Sequence, residues 1–113
     1  MVLLLQRVSL GADAMSAREV LEIATLGGAG VLGRGDCGAL SVGMRADIAV
    51  WDMGGVEAAG SWDPVAALVL CGPARVRDLV VEGRFVVRRV QVVTVDLPVV
   101  VEWQRALAAR LME

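Results

Sequence analysis

The sequence predicts an α+β fold in which helices and strands are grouped rather than alternated. Three observations carry that prediction. Apolar residues keep helical spacing over 3–32 and again over 97–111. Valine-rich runs separated by turn residues fill 79–95, and one short strand, Ile48-Ala49-Val50-Trp51, stands alone between the two regions. The resulting order is helix, helix, strand, helix, three strands, helix, which lacks the regular alternation of a doubly wound parallel sheet.

The first helix ends near Val8, with Leu3 and Leu4 on its apolar side and Gln6 and Arg7 outward; Gly11-Ala12-Asp13-Ala14 follows as a loop. Ser16 with Glu19 three residues on is a capping box that opens the second helix, and Met15 is placed to staple its first turn. Val20, Ile23, Ala24 and Val31 keep helical spacing, widened by Leu21 and Leu32. Gly27, Gly28 and Gly30 lie inside that pattern and cost about 1 kcal/mol each relative to alanine. Such a cost is expected where a helix presses closely on another element. Gly33 is positioned as a C-terminal cap, and Arg34-Gly35-Asp36 as loop.

The central stretch is Gly38 to Asp52. A turn flanked by Gly38 and Gly43, where a side chain would clash, leads through Arg45-Ala46-Asp47 into the strand. Ile48 and Val50 share one face of it, Ala49 and Trp51 the other. Residues 53–61 are small and glycine-rich and form a loop without a phosphate-binding context. Asp63-Pro64 opens a short helix, with aspartate as cap and proline in its first turn, and Gly72-Pro73 ends it. Leu79 to Val81 and Phe85 to Val87 flank a hairpin turn at Glu82-Gly83-Arg84, and Val90 to Val95 is a further strand. Asp96-Leu97-Pro98 opens the last helix, where Val100, Trp103, Leu107 and Leu111 fall on one face and Arg105 and Arg110 stay in solvent.

Composition limits the function. The chain has 113 residues, of which 57% are apolar, against about 45–50% in ordinary globular chains. A chain this short hides only roughly two-thirds of its unfolded surface, so apolar surface is expected to stay exposed unless a partner covers it. The net charge of −2 gives no basic field for nucleic acid or an anionic membrane. Val2-Leu3-Leu4-Leu5 is too short for a signal-peptide core and no basic residue precedes it. No run reaches the roughly 18 apolar residues that span a bilayer. A cytoplasmic location is expected, with neither nucleic acid nor membrane as a partner. Cys37 and Cys71 stand far apart and are expected to be buried thiols.

Catalytic equipment is missing from the residues themselves. The chain has no histidine. It also has no lysine, so Ser16, Ser41 and Ser61 lack a base to activate them. Asp47, Asp52 and Asp63 bracket a strand or cap a helix, positions where carboxylates are structural. Cys37 and Cys71 lack the further ligands a zinc site needs. Trp51, Trp62 and Trp103 are too scattered for base stacking and are expected in core or interface packing. No catalytic, cofactor-binding or metal-binding residue is assigned.

One likeness covers nearly the whole chain. Ser16-Ala17-Arg18-Glu19-Val20-Leu21, Ala24-Thr25, Gly28-Ala29, Leu32-Gly33, Gly38-Ala39-Leu40, Gly43 and Ala46-Asp47-Ile48 follow one another in order. Val76 to Val81, Gly83-Arg84, Val86-Val87 and Val92-Val93-Thr94-Val95-Asp96 close the series. Together they resemble the C-terminal end of the metal-dependent amidohydrolases. Asp63 to Val76 is similar to the purine and triazine aminohydrolases of the 8-oxoguanine deaminase type.

The resemblance implies a layout and a chemistry. Residues 1–36 would be the last helical elements of a TIM-type (β/α) barrel. Residues 37–113 would be the C-terminal part of a small β-sandwich, closed by a helix that packs back. The parent reaction would be deamination of a purine- or triazine-like ring, a C–N hydrolysis by water activated on zinc or iron. The family's metal ligands lie upstream of the matched region, so this segment should hold no cofactor, be inactive alone and play a structural role. Its partner would be the missing N-terminal barrel, or a second copy through exposed apolar surface and an open sheet edge. Two other readings stand beside this one: a non-catalytic protein-interaction module, and one piece of a split enzyme. Three departures are visible: Met44 where the family commonly has lysine, Trp62 where a histidine often precedes Asp-Pro, and Arg89-Val90 where the family has Asp-Gly. Valine tolerates positive φ poorly, so the Arg89-Val90 turn is expected to change type or loosen.

Overall fold

The computed structural model describes residues 2–11, 13–72 and 74–112. Helix α1 spans Val2–Leu10. A continuous helical rod follows, made of α2 (Ala17–Glu22), a π turn (Ile23–Gly27) and α3 (Gly28–Val31). Strand β1 (Ile48–Trp51), helix α4 (Pro64–Leu70), strands β2 (Val76–Val81), β3 (Arg84–Arg88) and β4 (Gln91–Val92), and helix α5 (Leu97–Arg110) complete the chain. Pro73 and Ala12, expected at a helix end and in a loop, lie outside the described residues, as do the side chains of Leu3 and Leu4.

The caps fall where the sequence puts them. The Ser16 hydroxyl accepts from the Glu19 N–H, and the Glu19 carboxylate accepts from the Ser16 N–H at 2.7 Å, closing the capping box. Asp63 accepts from the Val65 N–H and Asp96 from the Val99 N–H, each followed by a proline in the first turn. Gly33, at φ +65°, ends the rod. Its N–H donates to the Gly30 carbonyl, and the Arg34 N–H to Ala29, which is a Schellman pair.

The π turn carries a side-chain bond to the backbone of the rod. The Thr25 hydroxyl donates to the Leu21 carbonyl at 2.7 Å, the acceptor that the Thr25 N–H would take in a regular α-helix. The close approach expected of Gly27, Gly28 and Gly30 sits elsewhere. A Cβ on Gly28 or Gly30 would meet nothing within 4 Å. It is Gly38, at φ +92°, that lies against the rod, where a Cβ would come within 3.0 Å of the Ala29 Cβ and the Thr25 carbonyl oxygen.

The four strands form one antiparallel sheet in the order β1-β2-β3-β4. Ile48 pairs with Val80 and Ala49 with Leu79; Val80 pairs with Phe85 and Val87 with Val92. The β2–β3 turn carries Glu82 at φ 51° and Gly83 at φ 77°, the type I′ geometry whose twist suits a hairpin. Two expectations need correction here. The strand expected over Val90 to Val95 pairs only at Gln91–Val92, plus one further bond from the Val93 N–H to the Val86 carbonyl, because the chain bends at 93–95 and leaves β3 before reaching Phe85 and Arg84. The Arg89-Val90 turn also keeps positive φ at both residues, 50° and 68°. It is held there by β2: the Asp78 carboxylate accepts from the Arg89 N–H at 2.9 Å and the Arg77 carbonyl from the Val90 N–H at 2.8 Å.

Helix α2 packs on α4, and the residues buried among those described are Ala17, Ala29 and Ala67. No large side chain among the described residues is fully buried. Trp62 is wholly exposed and Trp103 largely so, so neither packs in a core of this chain, while Trp51 is half-buried. Cys37 is half-buried and Cys71 exposed at the end of α4, not buried as expected. The helix expected to pack back, α5, buries no residue, and Val100, Trp103, Leu107 and Leu111 face outward.

The radius of gyration is 17.8 Å, against about 13 Å for a compact chain of this length. The accessible surface is 9011 Å², against roughly 6,000 Å² for a compact fold of this mass. The elements are well formed locally and their apolar faces are open. That confirms the exposed apolar surface expected from composition.

Candidate functional site

Charged residues converge at one end of the sheet. The loop after the helical rod turns back at Gly38 and Gly43, both at positive φ, and delivers Arg45 beside the β2–β3 turn. Arg45 reaches Asp36 at 3.6 Å and Asp47 at 3.8 Å, and pairs with Glu82. Arg34 grips Asp36 with two bonds of 3.0 and 2.9 Å. Backbone bonds fix the same junction: the Arg45 N–H donates to the Asp36 carbonyl at 2.8 Å, the Gly83 N–H to Ala46, and the Glu82 N–H to the Asp47 carboxylate at 2.7 Å.

This cluster is a clasp and has no reactive group. The Arg34 guanidinium holds the Asp36 carboxyl below the usual carboxylate range, so the group stays ionised and accepts hydrogen bonds rather than moving protons. The Asp47 carboxylate accepts the Glu82 N–H, and no nucleophile stands among these residues. Asp52 accepts from the Gly54 N–H at 2.9 Å, closing the strand. Asp63 caps α4 and pairs with Arg18 at 3.0 Å. The structure thus separates the three aspartates, each accepting a backbone N–H. Ser16 serves its capping box, and the Ser61 hydroxyl donates to the Asp63 carbonyl.

A shallow open groove of about 370 Å³ lies between the 53–58 loop, α4 and the start of β2. Ala67 and Cys71 line it, with Asp52, Glu57, Arg75 and Arg77. Asp52 is engaged by the Gly54 N–H and Arg77 by Asp78 at 2.7 Å. Among the described residues no group of three or more histidine, cysteine, aspartate or glutamate side chains is placed to hold a metal ion. Sequence reasoning missed Asp36 and Glu82 as partners of Arg45. The Arg45-Ala46-Asp47 step was visible, but only the hairpin register brings Glu82 to it.

The family model described as Amidohydrolase family matches residues 1–86. An 8-oxoguanine deaminase of Pseudomonas aeruginosa is 36% identical over 110 residues, covering 97% of this chain and 24% of that protein. Among solved structures, the triazine hydrolase of Arthrobacter aurescens superposes with a TM-score of 0.78 at 41% identity, over 83% of this chain and 21% of that one. An adenosine deaminase of Xanthomonas campestris with bound zinc superposes with a TM-score of 0.87 at 28% identity, over 96% of this chain and 26% of that one. The chain spans about a quarter of the length of each relative it matches.

Proposed function

We propose, from the premise that this chain belongs to the amidohydrolase family, that it is the C-terminal portion of a C–N hydrolase and has a structural role within it. In the parent enzyme the reaction would be deamination of a purine- or triazine-like ring, the substrate classes in the names of its relatives. Residues 1–36 would close a barrel and residues 37–113 would supply part of a β-sandwich with its final helix. The supporting observation is the pairing of two facts: almost the whole chain aligns with one quarter of a deaminase, and the buried residues among those described are three alanines. The faces of the helical rod and of α5 would then be the surfaces that the rest of such an enzyme covers.

The residues present do not fit the zinc or iron of the parent chemistry. Histidine is absent from the chain, and the carboxylates that do converge, Asp36, Asp47 and Glu82, surround the Arg45 guanidinium. A cation already fills the space between them, so no catalytic step is assigned to this chain.

A chimera tests the reading. The matching C-terminal quarter of the P. aeruginosa 8-oxoguanine deaminase is replaced by these 113 residues, and ammonia release from 8-oxoguanine is measured. The proposal expects a folded, zinc-loaded chimera that deaminates, and no ammonia release from the 113 residues alone. Activity of the isolated chain with added zinc would overturn it, as would a chimera that cannot fold. The interaction-module reading is favoured by one feature, the exposed Val100/Trp103/Leu107/Leu111 stripe on α5. A chimera in which that stripe stays solvent-exposed would favour the module.

A further inference from the structure

At the far end of the sheet from the Arg45 clasp, guanidinium groups accumulate. Arg88 and Arg89 sit at the β3–β4 turn, and Arg77 on β2 lies next to it through the Val90 N–H bond to its carbonyl. Among the described residues Arg77 is paired with Asp78, whereas Arg88 and Arg89 form no ion pair. Arg88 instead stacks over the Phe85 ring, 5.1 Å from its centre. The turn between them is strained: Val90, β-branched, is held at φ 68°, a conformation such residues rarely adopt. Beside the turn, Arg88, Arg89, Gln91 and Val93 line an open groove of about 330 Å³. It runs along β4, the last strand of the sheet.

We infer that the β4 edge is a docking surface for an extended acidic segment of a partner polypeptide. The β4 edge offers backbone groups to an added strand, and the unpaired guanidiniums select carboxylates, which they can grip with two parallel bonds. Charge complementarity names the occupant. A nucleic acid is disfavoured by a groove without an open aromatic face, since Phe85 already lies under Arg88. The inference stands on this surface alone and does not depend on the deaminase reading.

The test is fluorescence anisotropy of the 113-residue chain with a labelled (Glu-Val)4 peptide, with (Gln-Val)4 and a ten-nucleotide single-stranded DNA as comparators. The Glu peptide is expected to bind, more weakly as salt rises. The Arg88→Gln/Arg89→Gln variant should lose about tenfold in affinity, the worth of two exposed ion pairs. Arg105→Gln/Arg110→Gln on α5 should lose nothing, and circular dichroism confirms that each variant keeps its fold. No binding at millimolar peptide, equal binding of the Gln peptide, or equal loss in the α5 variant would overturn the inference. Tighter binding of the DNA would replace it with a nucleic-acid surface. A dimer that the Arg88/Arg89 variant dissociates would replace it with a second copy.

Discussion

The Asp47 carboxylate accepts a hydrogen bond from the Glu82 backbone N–H at 2.7 Å, joining the entry of β1 to the β2–β3 turn across 35 residues of sequence. Glu82 in turn pairs with Arg45, two residues before Asp47. The loop that leaves the helical rod is therefore fastened to the hairpin at both its charge and its backbone.

Removing that acceptor should loosen the turn. Asp47→Ala is expected to cost about 1–2 kcal/mol, the cost of a lost charge-assisted bond to a partly exposed amide. Asp47→Asn, which keeps an acceptor oxygen, should cost less than half of that. Amide hydrogen exchange at Glu82 and Gly83 reads the difference, and equal protection in the wild type and the alanine variant would contradict it.

Glycines 38 and 28 should respond in opposite directions. Gly38→Ala forces a Cβ to within 3.0 Å of Ala29 and of the Thr25 carbonyl at φ +92°, which should cost about 2 kcal/mol or more. Gly28→Ala meets open space in a helix and should stabilise the isolated chain by about 0.5–1 kcal/mol. Urea unfolding followed by circular dichroism separates the two.

Relief of backbone strain gives a third expectation. Val90→Gly removes a β-branched side chain from φ 68° and should stabilise the sheet by about 1 kcal/mol. A destabilised Val90→Gly variant would mean that the valine side chain contributes more than its backbone strain costs.

Acid should act through Asp78. The Arg89 N–H, and after it the Arg77 guanidinium, hold this carboxyl below its ordinary value. A depressed folded pKa stabilises the fold above the unfolded value of about 3.9, and that contribution is lost as pH falls through the lowered folded value. The Arg89 amide shift, followed by NMR, should therefore titrate with a midpoint below about 3.9. A midpoint at or above that value would show that the bond does not hold the turn.

Much of the fold was legible because it is written locally. Ser16 with Glu19, Asp63-Pro64 and Asp96-Leu97-Pro98 mark helix starts by chemistry that acts within four residues, and all three are where the structure has them. The limits of β1 were equally plain. What escaped depends on distant partners. β4 ends where the chain bends at 93–95, short of the remaining β3 residues, and the survival of the Arg89-Val90 turn follows from Asp78 on a neighbouring strand. The π turn over Ile23–Gly27 leaves no mark in the apolar spacing. The family likeness was legible in motif order, and the comparisons show it. Of the charged clasp only Arg45 and Asp47 could be seen, since Asp36 and Glu82 join them through the loop and the hairpin.

On the proposed reading, these 113 residues form local structure whose apolar faces a larger amidohydrolase would cover. Light scattering on the purified chain after size-exclusion chromatography, with its thermal melt by circular dichroism, tests this most directly. Dimers or larger species with a broad melt are expected, because among the described residues a buried core of three alanines cannot close the fold. A compact monomer with a sharp, cooperative melt would contradict it.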